Sequence, residues 1–256
     1  MRQLILAALL LAPAAAFASN HCEFHADRNL DLDLSGISKV HFVTNAFDLT
    51  VEAKGSGTRG SVSGKACASD QKLLDGLAVT QQKNGDTLTI ALESKESSWG
   101  FGSHYTDLKA NVTIPASIPV ELEVGSGSAK VRGLKSLDTQ VGSGELEAND
   151  IAGPVTVKVG SGEAAFRGIG PLTVTAVGSG DLRANEIAGD ARVDTIGSGD
   201  AEIGGVKGSL SVDRIGSGSL AVGHVDKNLT VRKKGSGDLN YTKENVGGKL
   251  DVPKQD

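Results

Sequence analysis

From residue 120 onward, apolar and polar side chains alternate in short runs, as in Leu210-Ser211-Val212 and Leu229-Thr230-Val231. A period of two sends successive side chains to opposite faces of a strand. The runs are punctuated by Gly-Ser-Gly, whose first glycine falls at 125, 142, 160, 178, 197, 216 and 235, in steps of 17, 18, 18, 19, 19 and 19 residues. Repetition at so nearly one period is the sequence signature of a solenoid. Aligned on the triplet, the fourth position after its first glycine reads Ala129, Leu146, Ala164, Leu182, Ala201, Leu220, Leu239, and the ninth reads Leu134, Ile151, Ile169, Ile187, Val206, Val225. The residue before each triplet is Val or Ile until the last copy, where it is Lys234.

A repeat of this length has no room for a helix able to cover a sheet. The repeats must cover one another, each strand pairing in parallel with its copy about 4.8 Å away. The expected fold is all-β: a parallel β-helix of 17–19-residue coils with a triplet at one corner of each coil. Glycine suits a corner in two ways, by reaching positive φ and by leaving no bulk between stacked corners. An aromatic content of 4% fits narrow coils.

Residues 28–124 alternate in the same way with looser spacing. Ser69 or Asp70 ahead of Leu73, Leu74 and Leu77 predicts a short helix. Asn84-Gly85 predicts a hairpin between strands 77–83 and 87–92. Further strands are expected over 108–114 and 120–124. We read 1–18 as a signal peptide, 19–124 as a β-rich cap with the first irregular coils, and 125–256 as the regular β-helix with its own C-terminal cap. The last two form one continuous domain.

The leader reading rests on Arg2, the apolar run 4–11 and Ala16-Phe17-Ala18 as a small-x-small cleavage site. It places the mature protein in the periplasm, at the cell surface or outside the cell, with no membrane span after cleavage. In that oxidising setting Cys22 and Cys67 are expected to form a disulfide. Loss of Arg2 leaves 26 − 1 = 25 basic against 31 acidic residues, a balance that argues against nucleic acid as a partner.

Candidate chemistry is sparse. Glu145, Glu163, Asp181 and Asp200 follow four consecutive triplets and would form a ladder of carboxylates. Calcium β-rolls also run at 18 residues per turn, but they carry two glycine-rich units per turn, with the acid placed later. Ser19-Asn20-His21 at the expected mature terminus has the form that encloses Cu(II) or Ni(II) in a square plane. Arg132, Asn149, Arg167 and Asn185 share one outward column. No catalytic residue, cofactor motif, zinc-ligand spacing or phosphate loop is visible. The insertion 94–107 gathers Trp99, Phe101, His104 and Tyr105, and Trp99 is the single tryptophan of the chain. Rings in a glycine-rich loop suit sugar faces or a protein partner, and they equally suit folding back to cover the cap; on the first reading this loop is the candidate binding site, for a cell-surface glycan or an envelope protein.

With Gly-Ser-Gly followed by Asp, Glu or Ser and then Leu or Ala at each turn, and an opening SKVHFVTNAFDLTVEAKGSG, the chain resembles the bacterial "putative auto-transporter adhesin, head GIN domain" family. The resemblance implies an adhesin-like β-helix and brings no functional residues with it. No barrel strands follow the repeats, so translocation by this polypeptide itself is not expected. The reading is therefore a non-enzymatic exported scaffold. The alternatives are a calcium- or glycan-binding module on the same scaffold and, further off, a polysaccharide-acting enzyme.

Overall fold

The computed structural model describes residues 22–95 and 105–253. Each regular coil contributes one strand to each of two sheets. The strands that follow the triplets, Ser128–Arg132, Glu145–Ile151, Glu163–Ile169, Asp181–Ile187, Asp200–Ile203, Ser219–Val222 and Asp238–Tyr241, lie side by side in the first sheet. Those that precede them, from Val120–Val124 to Leu229–Lys234, build the second sheet in the same order. Neighbouring coils pair in parallel within both sheets. The parallel β-helix read from the sequence is the fold of the chain.

The apolar columns become the core. Leu146 faces Ala164, Ala164 faces Leu182 and Leu182 faces Ala201 in register. A third, narrower side is closed by the ninth-position column, in which Ile169 pairs with Ile187, Ile187 bridges to Val206, and Val206 to Val225. Ile187, Val206 and Val225 are fully buried.

The triplet corners stack through their backbones. Gly178 and Ser179 donate to Val159 and Gly160 of the coil before at 2.9 Å each, and Asp181 donates to Gly162 at 3.0 Å. None of the triplet glycines from 125 to 237 adopts a positive φ, contrary to the first reason given above for glycine there. The second reason holds alone: a Cβ on Gly180 would lie 2.0 Å from the carbonyl oxygen of Gly162, and one on Gly218 would lie 1.8 Å from that of Gly199. In the regular coils left-handed backbone belongs to the opposite corner instead, at Gly133, Asp150, Gly168, Glu186 and Gly205. The two non-glycine residues there are held from the preceding coil, Asp150 by Arg132 at 2.9 Å and Glu186 by Arg167 at 2.7 Å.

The first half departs from chain order. Lys39–Val43 and Asp48–Ala53 form a coil of their own, and it lies between two coils made later in the chain. On one side it meets Thr87–Ser94 and Thr106–Ile114; on the other it meets Val120–Val124 and Ser128–Arg132. Asn45-Ala46-Phe47 occupies the triplet's place at the corner, where Asn45 accepts from Ser126 and Gly127 and Phe47 accepts from Ser128. Glycine is not required at Phe47, because the coil beyond it enters as the extended strand Thr106–Ile114 and brings no triplet carbonyl over that position.

The end of the stack is closed by antiparallel pairing. Arg59–Ala68 covers Thr106–Ile114 and is flanked by Phe24–Asp27 and Leu30–Asp33. A disulfide between Cys22 and Cys67, with Cα atoms 5.5 Å apart, fastens this layer. The expected helix is Gln71–Gly76, capped by the Asp70 carboxylate accepting from Leu73 N–H at 2.9 Å. The expected hairpin is Leu77–Asn84 with Thr87–Ser94, and it closes the second sheet. At the other end Lys234 stands in the apolar column opposite Ile215, and its Nζ turns back to donate to the Gly237 carbonyl at 3.0 Å.

Candidate functional site

The outward positions of the two sheets carry the polar chemistry. In the first sheet Glu145, Glu163, Asp181 and Asp200 stand in consecutive register. The column extends further than the four acids: Asp48 and Ser128 precede them and Ser219 and Asp238 follow. Neighbours answer part of its charge. Arg183 pairs with Glu163, Ser128 Oγ donates to Asp48 at 2.7 Å, and the Ser219 N–H donates to Asp200 at 3.0 Å. The four acids are aligned, but they are not among the described clusters whose ligand atoms converge on one point.

Two columns across, beyond Lys130, Glu147, Ala165 and Arg183, the residues Arg132, Asn149, Arg167 and Asn185 are in register, as the repeat alignment places them. Asn149, Arg167 and Asn185 line a shallow groove of about 560 Å³ together with Glu147, Arg183 and Glu186. Beyond Asn185 the column continues as Gly204, and the absence of side chains at Gly204 and Gly205 leaves the groove open on that side. Asn149 donates to Glu147 at 3.0 Å, and hydrogen bonds from Lys130 and then Asn149 hold the Glu147 carboxyl below its ordinary range. A carboxylate so held is a standing hydrogen-bond acceptor and a poor proton donor near neutrality. The groove can therefore offer amides, guanidinium groups and carboxylates to a polar ligand.

Of the candidate binding loop, Trp99, Phe101 and His104 lie outside the described residues, as do Ser19 and His21 of the candidate copper or nickel site. Tyr105 is described. It is the one exposed large hydrophobic side chain among the described residues. Its backbone is fixed beside the disulfide, donating to Ser69 Oγ at 3.1 Å and accepting from Ser69 N–H at 3.0 Å.

The sequence reading missed one cluster altogether. His41, Glu121 and Glu123 bring one ligand atom each within 4.8 Å of one another on the outer face of the second sheet. His41 lies directly across from Glu121, with Glu123 two residues further along the same strand. His41 Nε2 is 3.4 Å from Glu123 Oε1, and Lys39 Nζ is 2.5 Å from Glu121 Oε2. The Glu-x-Glu alternation of strand 120–124 is visible in the sequence. That His41 pairs with it across a long stretch of chain follows only from the out-of-order coil.

The family profile for "putative auto-transporter adhesin, head GIN domain" matches residues 66–245, well over half of the chain. The chain belongs to the head GIN domain family. This head GIN protein also resembles solved structures at low identity. One is a "putative adhesin" of Parabacteroides distasonis, 14% identical over 89% of this chain and 96% of that one, with a TM-score of 0.45. A "putative adhesin" of Bacteroides fragilis is 14% identical over 91% and 99%, with a TM-score of 0.42. A "putative lipid binding protein" of Parabacteroides distasonis is 14% identical over 90% and 97%, with a TM-score of 0.39. No curated protein matches the head GIN chain. Among the described residues no helix is long and apolar enough to cross a membrane.

Proposed function

We propose that the protein is an exported, non-enzymatic adhesin-like scaffold that holds a binding loop on a rigid stack of coils. The observation that carries this reading is family membership over most of a chain built as uniform coils. From Val120 onward the strands are joined by short corners, with no long walls of the kind that enclose a reaction centre. The described disulfide agrees with an oxidising compartment, the periplasm or the cell exterior. Ligand contact is assigned to Trp99, Phe101, His104 and Tyr105, because binding residues concentrate on insertions carried by a rigid scaffold and aromatic rings supply large contact area with polar edges. A glycan is the second reading for the ligand, favoured by the amide, guanidinium and carboxylate groups along the groove at Arg167.

The test is a binding assay with the mature chain on a glycan array and on native envelope preparations. Changing Trp99 and Tyr105 together to Ala is expected to weaken attachment at least about tenfold, the scale of losing one aromatic hot spot. The circular dichroism spectrum and melting temperature should stay nearly the same. A large fall in melting temperature would place these rings in the cap and remove the loop from the proposal. Turnover of any member of a polysaccharide panel would overturn the non-enzymatic reading.

A further inference from the structure

We propose that His41, Glu121 and Glu123 form a binding site for a single zinc-type divalent cation. One imidazole and two carboxylates make up a borderline donor set, suited to zinc and its first-row neighbours. Calcium prefers six or more oxygens. Ligands about 2.0–2.1 Å from a tetrahedral ion stand about 3.3–3.4 Å from one another. The separation of His41 Nε2 and Glu123 Oε1 is 3.4 Å, which matches that edge and exceeds a good hydrogen bond.

A second observation points independently to a ligand. His41 Nε2 is shielded from solvent and has no hydrogen-bond partner among the described residues. A ring nitrogen shut away from water, whose nearest acceptor, Glu123 Oε1, stands beyond good hydrogen-bond range, carries a cost that a metal would remove. Lys39 Nζ stands 2.5 Å from Glu121 Oε2 and competes with the ion for that carboxylate, leaving it Oε1. The register around the site supplies the opposite charge. Asp138 stands next to Glu121 in register and adds a further negative charge. The Glu123 side chain is 56% exposed, so the ion would keep an open position for water or for a donor from a partner.

The other described cluster, Cys22, His25 and Cys67, is different because both of its sulfurs are spent in the disulfide. The site depends on the out-of-order coil, which alone brings strand Lys39–Val43 against Val120–Val124.

The experiment is calorimetric titration of zinc into the folded mature chain carrying His21→Ala, which removes the amino-terminal copper or nickel motif from the measurement. Cobalt(II) absorption reports the coordination geometry. One equivalent of zinc is expected, with a visible cobalt band. His41→Gln and Glu123→Gln should each weaken binding at least about tenfold, in line with loss of a ligand. His224→Gln, at an exposed histidine beside Asp226 in a later coil, should leave it unchanged, and Lys39→Met should strengthen it by freeing the second oxygen of Glu121. An ion pair between His41 and Glu123 alone would give no cobalt band. No binding at about 100 μM zinc, or binding that survives both ligand substitutions, would overturn the proposal. Circular dichroism controls for folding, and if His41→Gln fails to fold, the exposed Glu123→Gln decides.

Discussion

Gly180 shows how one missing methyl group sets the spacing of the stack. Its backbone is compatible with an L side chain, and its Cβ position is filled by the Gly162 carbonyl. Gly180→Ala should therefore cost about 3 kcal/mol or more, as an overpacking substitution that the rigid neighbouring coil cannot relieve. Ser179→Ala, at the exposed middle position, should change stability by less than about 0.5 kcal/mol. Paired urea titrations measure the difference; equal midpoints would show that the corner opens easily. The triplet was legible in the sequence because a steric demand repeated at every coil leaves a periodic mark. Its cause was only half legible, because a positive φ and a close approach both select glycine and leave the same letter. Asn45-Ala46-Phe47 fills the same corner with no such mark, since the strand Thr106–Ile114 and not another triplet follows it in the stack.

The strands were readable where burial alternates strictly, and the columns show why. Ile187 is fully buried between Ile169 and Val206, while Arg183 on the same strand points outward and pairs with Glu163. Ile187→Asp should cost several kcal/mol by burying a charge or forcing its protonation, whereas Arg183→Ala loses only an exposed ion pair, worth about 0–1 kcal/mol. Thermal unfolding of the two variants separates these outcomes, and equal melting temperatures would contradict the column. Which strands become neighbours was readable only inside the repeats. Alternation in Lys39–Val43 reports that a strand has a buried face and says nothing about which coil covers it. The His41, Glu121 and Glu123 cluster was hidden for that reason. The residues of the proposed binding loop stand out by composition, as aromatic side chains in a glycine-rich insertion, and of the four only Tyr105 lies among the described residues.

For the whole molecule, stability is close to a sum over coils and the contacts between them. Deleting residues 178–196, one complete coil, should preserve both sheets by bringing Ile169 against Val206 and Glu163 beside Asp200. We expect a cooperative transition at a somewhat lower temperature. Deleting only 178–186 should abolish folding, because it shifts strands between sheets and moves core side chains to the surface. Calorimetry distinguishes the two, and loss of folding in the whole-coil deletion would show that the stack is not modular.

Synthesis runs from the amino terminus, and the coil of residues 39–53 sets a timetable. Every regular coil leaves the ribosome after the coil it stacks on, so its template is already waiting. Residues 39–53 are made before either of their neighbours, 87–114 and 120–132. One edge waits for its partner until the chain has reached residue 114, and the other until residue 132. The start of the solenoid is thus a nucleus of three coils assembled together, and growth by simple addition begins only behind it.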